Sequence, residues 1–335
     1  MSTGEIVSSS LLAMALIDLG YDAVSLAGFQ AGIRTDNTFT KARVEDIDDM
    51  RIREELAKGK IVVVAGFQGI TEGMDITTLG RGGSDTTAVA LAVKLGALRC
   101  EIYTDVEGVY TADPRIIPEA KKLPEIGYEE MLELASLGAK VMHPRAVELG
   151  EVYNIPILVA LSFEEKEGTW IRRSDMELKS KVRGIAHDLD VAKITIRGVP
   201  DRPGIAAAIF EPLAEASINV DTIVQNASLE GLTDITFTVS RRDLEKALST
   251  IKPVLPKIGA KDIASDIKVG KVSIVGAGMQ STPGYASKMF RALYEQGINI
   301  QIITTSEIRI TCIIDEERVI DAVKALHKAF ELEKA

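Results

Sequence analysis

Apolar positions along this chain fall into short runs separated by polar, glycine-bearing stretches. Leu11–Leu19 is apolar without a breaker and stops at Gly20, the pattern of a helix and its terminator. The polar residues 2–10 ahead of it can cap. Asp22–Leu26 (DAVSL) predicts a short strand, Gly28–Thr40 a polar loop, and Val44–Lys58 a charged segment of helical period. Ile61–Phe67 (IVVVAGF) is apolar throughout and predicts a central parallel strand covered on both faces. Thr77–Leu95 (TTLGRGGSDTTAVALAVKL) opens as a glycine-rich loop and continues from Thr87 as an alanine-rich helix. Ser84, Asp85, Thr86 and Thr87 are its candidate N-caps. Cys100–Thr104 (CEIYT) predicts a further strand, Tyr128–Leu137 a helix, Gly138-Ala139-Lys140 the opening of a second helix, and Ile155–Leu161 a last strand. Thr169–Arg183 is polar and reads as a linker. Residues 1–183 therefore predict an α/β domain with a parallel sheet. Ligands in such sheets sit beyond the carboxyl ends of strands, here the loops after Phe67 and Thr104.

The remainder repeats. Pro203-Gly204 recurs as Pro283-Gly284, an offset of 80 residues, and the same offset relates Ile209–Val220 to Met289–Ile300. After a deletion, Asp234–Val239 corresponds to Arg309–Ile314, and each copy ends in a helix, Leu244–Ile251 and Val319–Phe330. The unit reads strand, Pro-Gly loop, helix, strand, strand, helix, a ferredoxin-like module whose last strand can come from elsewhere in the chain. Residues 184–268 and 269–335 are the expected modules. Two of them can pair edge to edge and hold small ligands between them, or serve as a plain dimerisation unit.

Two loops carry candidate chemistry. In Thr77–Asp85, Gly80, Gly82 and Gly83 permit close backbone approach, and the helix start that follows attracts anions. Arg81 adds a planar cation for a carboxylate or phosphate, and Asp85 an acceptor or metal ligand. The same residues also fit a tight turn with a salt-bridged arginine and a capping aspartate. The second loop, Thr104–Arg115, holds Asp105, Glu107, Tyr110, Asp113 and Arg115. That mixture suits a nucleotide, with carboxylate for base or ribose, aromatic for stacking and arginine for phosphate; a solvated surface loop is the alternative. Lys140 beside glycine can reach a phosphate.

Composition narrows the classes. The chain has 335 residues with 46% hydrophobic and 26% charged, room for two or three domains. A net charge of −10 favours neither nucleic acid nor an anionic membrane as partner. The two cysteines, Cys100 and Cys312, lie in apolar runs and read as buried thiols of a cytoplasmic protein. His143, His187 and His327 lack metal-ligand spacing, so no metal site is expected.

These motifs resemble the aspartate kinases of the amino-acid kinase superfamily, which end in a pair of ACT domains. The resemblance rests on STGE (Ser2–Glu5), VAGFQG (Val64–Gly69), TTLGRGGSD (Thr77–Asp85), YTDVEGVYTADPR (Tyr103–Arg115) and GAKVMHPRA (Gly138–Ala146). In the repeat it rests on PDRPGIAA (Pro200–Ala207), NVDTIVQN (Asn219–Asn226) and TSEIRIT (Thr305–Thr311). It implies an amino-acid-kinase-like α/β/α sandwich followed by two ferredoxin-like ACT domains. It also implies phosphoryl transfer from ATP, with Mg2+, to the β-carboxylate of L-aspartate, the first step towards lysine, threonine and methionine. By the resemblance, Glu5, Arg81, Gly82, Gly83 and Ser84 bind aspartate, and Arg81 and Asp85 are catalytic. Thr104, Asp105, Tyr110, Thr111, Ala112, Asp113, Pro114 and Arg115, with Lys140, form the nucleotide site. Asp201, Asn219, Asp221 and Gln225 contact an effector, lysine or threonine, in a homo-oligomer built through the ACT domains, which can include a second kinase chain. The family begins with a strand and a Lys-x-Gly-Gly phosphate loop; here the first lysine is Lys41 and the only Gly-Gly is Gly82-Gly83. The resemblance therefore implies an N-terminally incomplete sandwich, and a second reading as a catalytically impaired regulatory subunit. The tandem repeat and TTLGRGGSD argue against a relative acting on glutamate, carbamate or a nucleoside monophosphate.

Overall fold

A computed structural model describes residues 1–139, 141–173, 182–226, 231–279 and 282–334. The described residues form two compact units. One holds Met1–Thr111 and the segment from Lys121 to the linker; the other holds Ala112–Ala120 and the C-terminal part.

The first unit runs α1 (Ser2–Asp18), β1 (Ala23–Leu26), β2 (Ile33–Thr35), β3 (Val44–Ile47), α2 (Met50–Ala57), β4 (Ile61–Val64), β5 (Gln68–Ile70) and β6 (Ile76–Thr78). It continues with α3 (Gly83–Leu95), β7 (Cys100–Thr104), β8 (Glu125–Ile126), α4 (Tyr128–Ser136), α5 (Pro144–Tyr153), β9 (Ile157–Leu161) and β10 (Thr169–Ile171). Its strands form a parallel β1–β4 pair, a β3-β2-β5-β6 sheet and a β7-β9-β10-β8 sheet. The parallel pairings β1–β4, β2–β5, β7–β9 and β8–β10 give the α/β character. Leu26, Ile33, Ile47, Ile52 and Ala90 form one core, with Val62, Val64 and Leu95 packed against it.

Several expectations change here. Val44–Lys58 is a strand followed by a helix, because Val44 and Ile47 bracket polar residues and pair with β2. β2 itself lies inside the stretch read as a loop. Ile61–Phe67 is not a strand buried on both faces. It ends at Val64, Ile61 is exposed, and Val62–Val64 are only half-buried, because among the described residues β4 pairs with β1 alone in a two-stranded sheet. The linker segment begins with β10, whose Trp170 pairs with Leu158 of β9.

The second unit comprises β11 (Gly184–Asp188), β12 (Ala192–Pro200), α6 (Ile205–Glu215), β13 (Ile223–Gln225), β14 (Leu232–Val239), α7 (Leu244–Ile251), α8 (Leu255–Ile258) and β15 (Asp262–Asp266). Then follow β16 (Val269–Val275), α9 (Tyr285–Glu295), β17 (Ile300–Thr305), β18 (Arg309–Asp315) and α10 (Val319–Ala329). The repeat holds at the level of backbone geometry. α6 and α9 are both 11 residues long and both start from a left-handed glycine, Gly204 at φ 92° and Gly284 at φ 109°. The first sheet runs β13-β14-β12-β15 and the second β11-β16-β18-β17. The division 184–268 and 269–335 therefore does not follow the sheets. β11 precedes the first module in sequence yet pairs antiparallel with β16 of the second, Ile185 opposite Ile274, because β16 still needs a partner on its other edge. The first module packs Ile194, Ile196, Ile209, Leu213 and Phe237 into its core, with Phe210 edge-on to Phe237 at 5.3 Å.

Candidate active site

The loop before α3 is shaped by contacts that only glycine tolerates. The N-cap of α3 is Gly82, in the left-handed region at φ 68°, rather than Ser84 or a later residue. A Cβ on Gly82 would lie 2.4 Å from His143 Cβ and Cγ, and one on Gly83 2.8 Å from Leu79 Cβ. The helix thus starts one turn earlier than its alanine-rich run predicts. The loop closes on itself through Gly83 N–H donating to Gly80 O at 3.0 Å. Phe67, left-handed at φ 66°, donates its N–H to Thr87 Oγ1 at 3.1 Å, and Thr87 Oγ1 donates to Gly83 O at 2.8 Å. These bonds pin the end of the β4 segment to the first turn of α3.

On this frame Arg81 and Ser84 are exposed and Asp85 is half-buried. Burial raises the pKa of Asp85, while the backbone N–H of His143 donating to its carboxylate, and the charge of the imidazole, oppose the rise. A carboxylate held partly out of water with one donor stabilises an incoming cation such as an ammonium. Glu5 lies in the first turn of α1. That turn reaches the same region because Gln68 Nε2 donates to Ser2 O at 3.0 Å, next to Phe67. Gln68 thus ties the start of α1, and Phe67 the first turn of α3, to adjacent residues of one loop.

The second loop is divided. Thr104, Asp105, Tyr110 and Thr111 belong to the first unit, whereas Ala112, Asp113, Pro114 and Arg115 belong to the second. Thr104 ends β7 and its hydroxyl donates to Asp105 Oδ1 at 3.1 Å. Tyr110 OH donates to Glu107 Oε2 at 3.4 Å, and Lys166 Nζ donates to Glu107 Oε1 at 2.7 Å. Thr111 is fully buried and its hydroxyl accepts from Lys121 N–H at 3.0 Å. Arg115 grips Asp113 with two side-chain bonds of 3.0 and 2.8 Å, and this guanidinium holds the Asp113 carboxyl below its ordinary pKa. The Arg115 side chain is 83% exposed. Lys140 lies outside the described residues.

Residues 1–160 match the amino acid kinase family, and residues 194–254 and 272–330 each match the ACT domain. The chain is 53% identical to an aspartokinase of Pseudomonas aeruginosa, over 99% of its own length and 82% of the relative's. The chain belongs to the aspartate kinase family. Among solved structures, Escherichia coli aspartokinase III in complex with aspartate and ADP superposes with a TM-score of 0.85 at 27% identity, covering 98% of this chain and 74% of the other. The same enzyme in complex with lysine and aspartate superposes at 0.74 and 27% identity, with the same coverage. The reading as an impaired regulatory subunit is not favoured by relatives of this identity and span.

In this aspartate kinase the four expected effector residues all lie in the first ACT module. Asp201 precedes the Pro-Gly turn and its N–H donates to Gly231 O at 2.8 Å. Asn219 and Asp221 follow α6, and Gln225 ends β13, with all four exposed. Asp221 already pairs with Lys271 of the second module, whose side chain is 5% exposed. Burial lowers the Lys271 pKa to about 8, against the opposing charge of Asp188. Lys193 Nζ of the first module likewise donates to Gln301 Oε1 of the second. Sequence reasoning missed these cross-module lysines, and it missed His143 and Arg145 at the kinase loop; Thr87, read as a cap, instead accepts from Phe67 N–H. The signal for His143 and Arg145 was present in GAKVMHPRA, the motif that also holds Lys140. No helix among the described residues is long and apolar enough to cross a membrane.

Proposed function

We propose that Arg81 clamps a carboxylate of L-aspartate against the start of α3, with Glu5, Ser84 and the Gly82–Gly83 backbone completing the substrate site and Asp85 receiving its ammonium. The reaction breaks the bond between the γ-phosphorus of ATP and its bridging oxygen. It makes a bond from that phosphorus to a β-carboxylate oxygen, releasing ADP and aspartyl β-phosphate. Such a transfer needs positioning and charge neutralisation more than covalent help. The observation that carries this reading is the half-buried Asp85 carboxylate beside the exposed Arg81, on a loop fixed by Phe67 and Thr87. Thr104, Asp105, Tyr110, Thr111, Ala112, Asp113, Pro114 and Arg115, with Lys140, take the nucleotide. Mg2+ would arrive on the ATP phosphates; among the described residues no cluster of three His, Cys, Asp or Glu offers a cage of its own.

Arg81→Ala tests the clamp. Two charge-assisted hydrogen bonds at about 1.5–3 kcal/mol each predict a loss of about 10²–10⁴ in aspartate affinity. Unchanged kcat/KM for aspartate removes Arg81 from the site.

The finer readings follow the same frame. Lysine or threonine binds at Asp201, Asn219, Asp221 and Gln225, its carboxylate on the N–H groups after Gly204, and the ACT modules join copies of the chain into a homo-oligomer. Calorimetry of the full chain with each amino acid tests this; silence to both at millimolar concentration sinks it. The buried thiols of Cys100 and Cys312 fit a reducing cytoplasm. Residues 1–335 contain no Lys-x-Gly-Gly loop, α1 exposes Val7, Leu11, Leu12, Met14 and Ile17, and among the described residues β4 pairs only with β1. A polypeptide of these residues alone is expected to be a weak kinase that gains from a strand and phosphate loop supplied to that face. Hydroxamate turnover of about 1 s⁻¹ or faster, in the ordinary enzyme range, would show such a loop to be dispensable.

A further inference from the structure

The guanidinium of Arg145, in the first turn of α5, spans two loops that are distant in sequence. Its Nη1 donates to Leu79 O at 3.1 Å and its Nη2 to Ala42 O at 3.0 Å. Leu79 is 1% exposed and Ala42 fully buried, so both carbonyls sit where water does not readily replace a lost donor. Leu79 is two residues before Arg81, and its own N–H donates to Phe67 O at 3.0 Å. Ala42 N–H donates to Thr78 O at 3.0 Å, and Thr78 N–H to Phe39 O at 2.8 Å. Around this one side chain, residues 39–42, 67 and 78–79 are knitted together. Two residues earlier, His143 lies across Gly82 with its backbone amide near Asp85, while its Nδ1 accepts from Arg145 N–H at 3.3 Å.

We infer that Arg145 is a positioning residue for the aspartate side of the reaction, bracing the backbone on which Arg81 and Asp85 stand. The inference rests on the reading of Arg81 and Asp85 as the aspartate site. Arg145 reaches both carbonyls because its donors form a rigid planar fork. A lysine carries the charge but cannot hold two carbonyls in that fixed geometry. The brace touches the loop before α3 and the 39–42 segment; the nucleotide loop leaves β7, in a different sheet. Loss of the brace should therefore separate the two substrates, whereas a general loss of fold would weaken both.

The test uses the full chain with Arg145→Met, which keeps the aliphatic bulk, and Arg145→Lys. Calorimetry measures binding of aspartate and of ADP, and thermal denaturation reports folding. Arg145→Met is expected to weaken aspartate by about tenfold to a hundredfold, the scale of a misplacement near 1 Å, with ADP affinity essentially unchanged. Arg145→Lys is expected to lie between it and the parent. Unchanged aspartate affinity in a folded Arg145→Met chain, or an equal loss for both ligands, overturns the inference. If Arg145→Met does not fold, Arg145→Lys carries the test by the same criteria. Arg81→Ala separates the two readings. If it abolishes aspartate binding while the Arg145 variants bind normally, only the brace fails. If it leaves aspartate binding intact, the site reading fails and the brace with it.

Discussion

Gly82→Ala is the substitution whose cost the geometry specifies most directly. Gly82 sits at φ 68°, ψ 16°, a conformation that costs an L-residue about 1–2 kcal/mol. The new methyl would lie 2.4 Å from His143 Cβ and Cγ, well inside contact distance, so the imidazole or the loop must move. Relieving such an overlap typically costs about 1–3 kcal/mol. His143 is also the N-cap of α5, accepting from Arg145 N–H, and losing a cap costs about 0.5–2 kcal/mol. Together these give about 2.5–7 kcal/mol, a large part of the roughly 5–15 kcal/mol that holds a domain folded. Because the same shift moves the His143 backbone that lies near Asp85, aspartate binding should fall with stability. Chemical denaturation of the full chain, followed through its first transition, measures the cost. Gly4→Ala is the control: its Cβ would meet nothing within 4 Å and the site is helical, so it should be neutral or gain up to about 1 kcal/mol. A Gly82→Ala cost below about 1 kcal/mol, or no larger than that of the control, would refute the placement of His143 over the loop.

Asp85→Asn should raise the thermal stability of the kinase domain at neutral pH while abolishing aspartate binding, because burial makes the ionised carboxylate costly in the folded state. With the folded pKa above the unfolded value, the aspartate-binding form is lost on acidification earlier than for an ordinary carboxyl, and a pH titration of aspartate affinity in the parent should show that acid limb. Burial pushes the Cys100 thiol up to about 11 and the Cys312 thiol up to about 12, so neither should react with a disulfide reagent at pH 8 until denaturant is added. Glu55 on α2 is ringed by Lys60, Lys58 and Arg51, at 2.9, 3.1 and 3.1 Å, and the two lysines pull its pKa to about 2. Its folded pKa is depressed, so its contribution is present above about 4.5 and lost as the pH falls towards 2; Glu55→Gln should flatten the acid-unfolding profile across that window.

The chain's own pattern determined the parts that depend on neighbours in sequence. The alanine-rich run of α3, the apolar core of β7 and the two 11-residue helices after Pro-Gly follow from local periodicity and from backbone positions that only glycine fills cheaply. The 80-residue repeat was legible for the same reason, since each copy must bury its own helix on its own sheet. The left-handed glycines of the loop before α3 were also legible, because a short polar stretch rich in glycine has few other backbone uses.

Tertiary structure decided what distant segments share. β4 reads as a central strand because a run of valines satisfies that role, but burial is set by which strands pair beside it, and among the described residues only β1 does. Val44–Ile47 became a strand because β2 offers hydrogen bonds that a helix would forgo. β11 joined the far module because an unpaired edge of β16 outweighs proximity in sequence. Gly82 must be glycine because of His143, 61 positions away, and Arg81 is held in place by the guanidinium of Arg145 through Leu79. No window of sequence contains both partners of such a contact, so the residue types of the loop were legible in the sequence while the means of holding it was not.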